Sequence, residues 1–220
     1  MSPFVKVLHS PSNGAIPIAV ESTVVRVQAR FGNVWAAWGS GFFIGQWPSS
    51  IITARHVVAL PQGVAPKDVN VEAFIGGAWV RLDVTAIAFP EGGAAPDIAI
   101  VRIQGTCTTG LQAATMDEPC RVEIWGYPLG IRHPAGVPVA VGTRAQPRGR
   151  RLRLENPGRP GMSGGPVVAI SDVGVPLAAV GIYLGTSPNG AAAHVLIDDA
   201  LFAAKDAALN ATAAPTGKSP

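Results

Sequence analysis

Three short segments contain the residue types that acyl transfer by a serine nucleophile requires. In chain order they are Thr53–Val58, Pro96–Val101 and Gly161–Pro166. A serine hydroxyl is a weak nucleophile at neutral pH, so it needs a histidine base within hydrogen-bond reach, and that histidine works best when a carboxylate orients its ring. We therefore predict that Ser163 is the nucleophile, His56 the general base and acid, and Asp97 the residue that orients the imidazole.

The glycines around Ser163 predict an oxyanion hole. The tetrahedral intermediate of acyl transfer carries a negatively charged oxygen, which preorganised backbone N–H groups must stabilise. Glycine adopts backbone angles that other residues avoid, so it can turn neighbouring N–H groups toward one point. We assign the two donors to the backbone N–H groups of Gly161 and Ser163.

Taken together, the three segments resemble the trypsin-like (chymotrypsin-fold) serine peptidases. The likeness is closest to their compact bacterial branch, which includes the glutamyl endopeptidases and the HtrA protease domain. The shared marks are Thr-Ala-x-His after an apolar strand, Asp-Ile-Ala-Ile-Val on a later strand, and Gly-x-Ser-Gly-Gly-Pro at the start of another. The resemblance covers roughly residues 20–200. It implies a serine endopeptidase that acts on protein or peptide substrates through an acyl-enzyme and needs no cofactor.

Composition predicts an all-β fold. The chain has 220 residues, of which 48% are hydrophobic, with 26 Gly and 20 Pro. Short apolar runs bounded by Gly, Pro, Asn or Asp indicate eleven or twelve strands, and hence two antiparallel six-stranded β-barrels. Only residues 198–209 have a helical pattern, opened by two Asp residues, so we expect a C-terminal helix packed on the second barrel.

The expected barrels divide the chain into two domains and a tail. Residues 1–108 would form the first barrel with His56 and Asp97, and residues 109–210 the second barrel with Ser163 and the terminal helix. Residues 211–220 are small and polar, which predicts a disordered tail. The active site would then lie in the cleft between the barrels, open to an extended peptide.

One alternative is the nucleophile elbow of the α/β-hydrolases, Gly-x-Ser-x-Gly, which Gly161–Gly165 also fits. In that family the acid and the base follow the serine in the chain, and Asp172 and His194 satisfy this order. An elbow requires a helix directly after the serine, whereas Pro166–Ile170 is rich in residues that favour a strand. The trypsin-like interpretation is therefore preferred.

The predicted specificity pocket lacks the residues that select charged side chains in two branches of the family that the sequence resembles. The trypsin branch has Asp six residues before the nucleophile, where this chain has Pro157. The glutamyl endopeptidases have His after Gly-Ile on the strand that lines the pocket, where this chain has Tyr183, followed by Leu184 and Gly185. We expect a small or apolar P1 residue, with the Tyr183 hydroxyl able to bind one polar group and Arg159 able to favour acidic ones.

Control of the activity is predicted to differ from that of the animal digestive enzymes. Those enzymes have Asp directly before the nucleophile, where it pairs with an N-terminus released by cleavage, whereas this chain has the apolar Met162. Loop ordering or an activating protein partner would then replace zymogen cleavage. Two rival interpretations are a non-catalytic binding module with the protease fold and an intracellular effector protease that a partner activates.

Signals for export or membrane insertion are not found in the sequence. Prolines interrupt residues 1–20, which therefore lack the apolar run of about 7–15 residues of a signal peptide. No apolar stretch reaches the ~20 residues of a spanning helix. We predict a cytoplasmic protein without a membrane partner, in which Cys107 and Cys120 are two free thiols rather than a disulfide.

The net charge of +3 is concentrated in the basic segment Arg144–Arg153. This segment could bind an acidic partner or nucleic acid, or it could be a solvated hairpin with Leu152 and Leu154 buried beneath its arginines. No nucleic-acid-binding motif accompanies it, so we favour the second interpretation and do not expect nucleic acid as a partner. No Cys or His lies at metal-ligand spacing from His9, His133 or His194, so we predict no metal site.

Overall fold

The protein is almost entirely β-structure in the computed structural model, which describes residues 6–7, 19–60, 66–90, 96–107, 109–132, 136–187 and 190–195. The strands are β1 (Lys6–Val7), β2 (Val24–Phe31), β3 (Val34–Phe43), β4 (Ser50–Thr53), β5 (Asp68–Ile75), β6 (Ala78–Leu82), β7 (Val84–Ala88), β8 (Ala99–Ile103), β9 (Ala114–Thr115), β10 (Cys120–Gly126), β11 (Val139–Arg148), β12 (Arg151–Leu154), β13 (Pro166–Ile170), β14 (Pro176–Ser187) and β15 (Gly190–Val195). The helix α1 (Arg55–Val58) follows β4, and 3₁₀ turns span Val20–Thr23 and Pro128–Gly130. The all-β prediction is confirmed.

The first half of the chain forms an open sheet of seven antiparallel strands, in the order β6-β5-β2-β3-β4-β8-β7. The prediction of a closed six-stranded first barrel is therefore wrong. The apolar run of residues 79–88 forms two strands rather than one, because Asp83 interrupts it. The Asp83 carbonyl accepts a hydrogen bond from the Gln104 N–H at 2.8 Å. The two parts, β6 and β7, pair with β5 and β8 and become the two edges of the sheet. This half is a half-barrel.

The second half forms a closed antiparallel barrel of six strands, as predicted, in the order β10-β11-β12-β15-β14-β13. The barrel closes where β13 pairs with β10. Strand β12 shows how the sequence specifies its inner face, because Leu152 and Leu154 are buried in the core while Arg151 and Arg153 are exposed. This alternation is the one that the solvated-hairpin interpretation of the basic segment predicts.

Several sequence predictions lie outside the described residues: the helix at 198–209, the tail at 211–220, and His9 and His133. Within the described ranges, no helix is long and apolar enough to cross a membrane. The same ranges contain no cluster of three His, Cys, Asp or Glu side chains that could hold a metal ion. Cys107 and Cys120 are separate free thiols.

An ion-pair network links the two halves. Glu72 on β5 is only 4% exposed and pairs with Arg26 on β2 and with Arg132, which follows β10. The Arg132 Nε–H donates to Glu72 Oε2 at 3.1 Å. Burial by itself would raise the pKa of Glu72, but hydrogen bonds from Arg132 and Asn70 and the nearby arginine charges outweigh it, so this pKa lies below its ordinary value.

Glu72→Gln is expected to destabilise the fold by about 3–5 kcal/mol, because the buried Arg26 loses its counter-charge. Since the folded-state pKa of Glu72 is lowered, its ionic contribution is complete above the ordinary value of 4.5 and is lost as pH falls through the folded value. Urea unfolding at a series of pH values should therefore show a weaker loss of stability on acidification in the variant. Asp68→Asn, at a half-exposed carboxylate paired with Arg30 and Arg81, is the control and should cost no more than about 1 kcal/mol. Equal losses in the two variants would contradict the prediction.

Candidate active site

His56 and Asp97 lie together at the ends of two paired strands. His56 is in α1, which begins two residues after the end of β4, and Asp97 lies two residues before the start of β8. Thr53 pairs with Ala99 in the ladder of β4 and β8. The Asp97 Oδ1 accepts the His56 backbone N–H at 2.9 Å, and its Oδ2 lies 2.6 Å from the His56 Nδ1. Because one carboxylate binds both the backbone and the ring of His56, the orientation of the imidazole is set locally.

The Asp97 carboxylate is held in its ionised form. Partial burial alone would raise its pKa, but the hydrogen bond and charge of the His56 ring, together with the backbone N–H groups of His56 and Arg55, lower it below the ordinary value. The side chains of His56 and Asp97 are 44% and 40% exposed, so both are accessible to solvent. An ionised carboxylate at the Nδ1 atom can stabilise a protonated imidazole ring.

The nucleophile loop, residues 159–165, is the last part of the connection from β12 to β13 and contains two tight turns. The Met162 N–H donates to the Arg159 carbonyl at 3.1 Å, and the Gly165 N–H donates to the Met162 carbonyl at 3.0 Å. Gly161 and Gly164 have φ of +90° and +85°, in the left-handed region that side chains disfavour. The glycines that the sequence singled out are therefore required by the backbone of this loop.

The nucleophile loop is pressed against the first sheet. A Cβ on Gly164 would lie 2.2 Å from the Ser40 carbonyl oxygen and 2.7 Å from the Ala54 nitrogen, so only glycine fits there. The Ser163 carbonyl accepts the Ser40 N–H at 2.8 Å. Since Ala54 directly precedes α1, these contacts bring Ser163 to the same part of the cleft as His56.

The Ser163 hydroxyl faces β14. Its Oγ is 3.4 Å from the position that a Cβ would take on Gly185, which has φ +98°. Within the described ranges the structure contains no direct hydrogen bond between this hydroxyl and the His56 ring, so of the two contacts in the predicted triad only the one between His56 and Asp97 is present. Such contacts are often long in free enzymes and shorten when substrate binds.

The predicted pocket residues occupy different environments. Tyr183 is 2% exposed, and its ring packs against Gly158, where a Cβ would lie 2.9 Å from the ring. Burial raises the pKa of Tyr183, an effect that a hydrogen bond from the Gly158 backbone partly offsets. Pro157 and Arg159 are exposed, while Leu184 and Gly185 are half-buried.

A cavity of about 490 Å³ lies beside Pro157 and is also lined by Arg153, Glu155, Thr186 and Ala191. No local motif in the sequence marks Glu155, Thr186 or Ala191, and Arg153 stands out there only as part of the basic segment. Strand pairing brings them together, with Leu154 opposite Ala191 and Thr186 opposite Ala191.

The alternative nucleophile elbow is excluded by the structure. Ser163 is followed by the strand β13, not by a helix. Asp172 is exposed in the turn at the far end of β13, and His194 is buried on β15. The helix that a nucleophile elbow requires after its serine is therefore absent at Ser163.

Comparison with known proteins agrees with the geometry. A family model described as the trypsin-like peptidase domain matches residues 39–175, more than half of the chain. No curated protein matches it significantly. Solved structures with a similar fold include the active form of the Rv3671c protease from M. tuberculosis, at 20% identity over 94% of this chain and 91% of that chain, with a TM-score of 0.61.

Two further similar structures come from other sources. The thermostable serine protease AL20 from an extremophilic microorganism is 13% identical over 86% of this chain and 98% of its own, with a TM-score of 0.62. The serine protease of a human pathogenic astrovirus is 19% identical over the same shares, with a TM-score of 0.53. At these identities the similarity shows a shared fold.

Proposed function

The chain belongs to the trypsin-like peptidase family, and on this premise we propose that it is a serine endopeptidase that hydrolyses peptide bonds with Ser163, His56 and Asp97. The observation that carries the proposal is the 2.6 Å contact between the His56 Nδ1 and the Asp97 Oδ2. This contact leaves the Nε2 atom of the ring available to a nucleophile, and Ser163 is held in the same cleft.

In the proposed first half-reaction, the Ser163 Oγ attacks the carbonyl carbon of the scissile bond while the His56 Nε2 takes the hydroxyl proton. Asp97 stabilises the imidazolium that forms. The N–H groups of Gly161 and Ser163 stabilise the negatively charged oxygen of the tetrahedral intermediate. His56 then donates its proton to the leaving amine, the C–N bond breaks, and the acyl-enzyme remains.

In the second half-reaction a water molecule replaces the amine. His56 removes a proton from the water, the resulting hydroxide attacks the ester carbonyl, and a second tetrahedral intermediate forms at the same oxyanion hole. Its collapse returns the proton to the Ser163 Oγ and releases the carboxylic acid product. The scheme uses only side chains and backbone of this chain.

Substrate choice is proposed to depend on Pro157 and Tyr183. Pro157 offers no counter-charge for Arg or Lys, which favours a small or apolar P1 residue. The buried Tyr183 ring fills the barrel beneath Gly158, so it limits the depth available to a P1 side chain. An activating protein partner and a cytoplasmic location are further proposals that rest on the sequence alone.

Tyr183→Ala is expected to shift the P1 preference toward larger apolar side chains, by about 1–3 kcal/mol of discrimination, because it removes the ring beneath Gly158. Tyr183→Phe keeps the ring and should leave the preference unchanged. The profiles are measured with a peptide library below the melting temperature of each variant, since loss of a buried aromatic costs about 3–5 kcal/mol of stability. An unchanged profile in Tyr183→Ala, or efficient wild-type cleavage after Arg, would show that the pocket lies elsewhere.

The function itself is tested by incubating a proteome-derived peptide library with the wild-type protein and with Ser163→Ala, followed by mass spectrometry. We expect internal cleavages with a defined P1 preference from the wild type and none from the variant. A wild-type protein that folds, reacts with no fluorophosphonate probe and cleaves no peptide would instead support the non-catalytic binding module.

A further inference from the structure

Ser40, on β3, lies at the centre of the contact between the first sheet and the nucleophile loop, and it is 0% exposed. Its backbone N–H donates to the Ser163 carbonyl at 2.8 Å, and its own carbonyl accepts the Thr53 hydroxyl at 2.7 Å. Its Oγ donates to the Gly161 carbonyl at 3.0 Å and accepts the Tyr127 N–H at 2.9 Å. All of its polar groups are thus used, and their partners lie on three segments: the nucleophile loop, β4 and the residue after β10.

Two of these bonds surround a proposed oxyanion donor. The N–H of Ser163 belongs to the peptide between Met162 and Ser163. The peptide before it carries the Gly161 carbonyl, and the peptide after it carries the Ser163 carbonyl, and both carbonyls bind Ser40. Fixing the two neighbouring peptide planes restricts the rotation of the one between them. The restriction matters here because Gly161, at φ +90°, belongs to the residue type with the greatest backbone freedom.

The surroundings of Ser40 leave its hydroxyl little room. A Cβ on Gly126 would lie 2.7 Å from the Ser40 Oγ, and one on Gly39 would lie 2.8 Å from the Ser163 carbonyl oxygen. Glycines on both sides therefore permit the close approach of the two backbones. Without the hydroxyl, the buried Tyr127 N–H and the Gly161 carbonyl lose this partner, and the Gly161–Met162 peptide loses its hydrogen bond to the first sheet.

From these contacts we propose that Ser40 is a positioning residue of the proposed peptidase: its hydroxyl holds the Gly161–Met162 peptide so that the two oxyanion donors point to one place. This inference rests on the proposed function. Ser40 touches no reacting atom, and it acts through the nucleophile loop. Its removal should weaken stabilisation of the tetrahedral intermediate more than binding of the substrate, so kcat should fall while KM changes little.

The test compares Ser40→Ala with Ser171→Ala. Ser171 is also nearly buried, and its hydroxyl likewise accepts a backbone N–H, that of Val175 at 3.0 Å, but it lies at the end of β13 away from the nucleophile loop. Two quantities are measured: kcat and KM on the best library peptide, and the second-order rate constant for labelling by a fluorophosphonate, which requires no P1 side chain. In that labelling the Ser163 Oγ bonds to phosphorus and fluoride leaves.

We expect Ser40→Ala to lower kcat and the labelling rate constant by about 10- to 100-fold, below the 10²–10³-fold cost of deleting an oxyanion donor outright. KM should change by less than about threefold, and Ser171→Ala should react like the wild type. Ser40→Cys, which restores a weak donor and acceptor, should recover part of the lost rate. Melting temperatures of all variants separate this effect from unfolding.

Three outcomes would overturn the inference while leaving the proposed function intact: wild-type labelling rates in folded Ser40→Ala, an equal loss in Ser171→Ala, or a Ser40→Cys rate no higher than that of Ser40→Ala. If Ser40→Ala does not fold, Ser40→Cys is compared directly with the wild type. A Ser40→Cys variant with wild-type kcat and wild-type melting temperature would also contradict the inference. Failure of the wild type to label would instead overturn the proposed function.

Discussion

Ser163→Ala is expected to abolish peptide cleavage and fluorophosphonate labelling while the fold remains intact. In the proposed mechanism the Ser163 hydroxyl oxygen is the atom that forms the acyl-enzyme. Removal of the nucleophile lowers kcat about 2 × 10⁶-fold in the serine protease subtilisin, and a residual rate persists there from the oxyanion hole and substrate binding. A loss of similar order is expected here, because the Gly161 and Ser163 N–H groups remain in the variant.

The measurement is kcat on the best library peptide, with intact-mass detection of the covalent adduct and with near-ultraviolet circular dichroism for the fold. Ser171→Ala is the matched control, because it removes another serine hydroxyl from the same barrel, and it should keep full activity. The unfolding free energy of Ser163→Ala should stay within about 0.5 kcal/mol of the wild type, since the hydroxyl lies at the cleft. Labelling that persists in Ser163→Ala would assign the nucleophile to another residue.

Asp97→Asn is expected to lower kcat by about 10⁴-fold, the size of the effect in the chymotrypsin-type template, because the amide favours the wrong tautomer of the base. In the wild type the ionised Asp97 Oδ2 lies 2.6 Å from the His56 Nδ1, which favours the tautomer with its proton on Nδ1 and its lone pair on Nε2, as the proposed mechanism requires. An amide NH₂ at that position would donate to Nδ1 and leave the proton on Nε2. The ring would then be unable to take the Ser163 proton.

The expected change in stability is much smaller than the change in rate. The carboxylate is 40% exposed, and an asparagine Oδ1 can still accept the His56 backbone N–H. Because the folded-state pKa of Asp97 is lowered, the wild type should lose this contribution as pH falls through that value, and the variant should not. Asp68→Asn, at a carboxylate on the first sheet that pairs with arginines, is the control and should keep wild-type kcat. A drop of less than about tenfold in Asp97→Asn would contradict an orienting role for Asp97.

The amphipathic pattern of the second barrel was readable from the sequence because it depends on alternation within single strands. Leu152 and Leu154 alternate with Arg151 and Arg153, and the side chains of a strand point to opposite faces in turn. The first sheet was predicted less well. Asp83 divides an apparently continuous run into β6 and β7, and which strand each part pairs with depends on contacts far along the chain.

The chemistry of the candidate site could also be predicted from the sequence, since each of its three segments is a local motif that can be recognised from neighbouring residues. His56 and Asp97 fall at the ends of apolar strands, and the glycines around Ser163 mark a backbone with positive φ. The structure adds the 2.6 Å contact between the imidazole and the carboxylate, which joins residues 41 positions apart. Only the pairing of β4 with β8 brings these two residues together.

The sequence by itself determined which side chains could carry out acyl transfer, because residue type and short-range spacing suffice for that. Only the tertiary structure decided which hydrogen bonds and packing contacts position the segments that carry these side chains. The Ser40 hydroxyl contacts Gly161 and Tyr127, which are 121 and 87 residues away, and the Tyr183 ring turns into the barrel core. Neither feature leaves a local pattern, because a hydrogen bond or a packing contact between distant segments constrains each segment at a single residue. These contacts form only when the fold brings the two halves of the chain together, so they can be identified only from the tertiary structure.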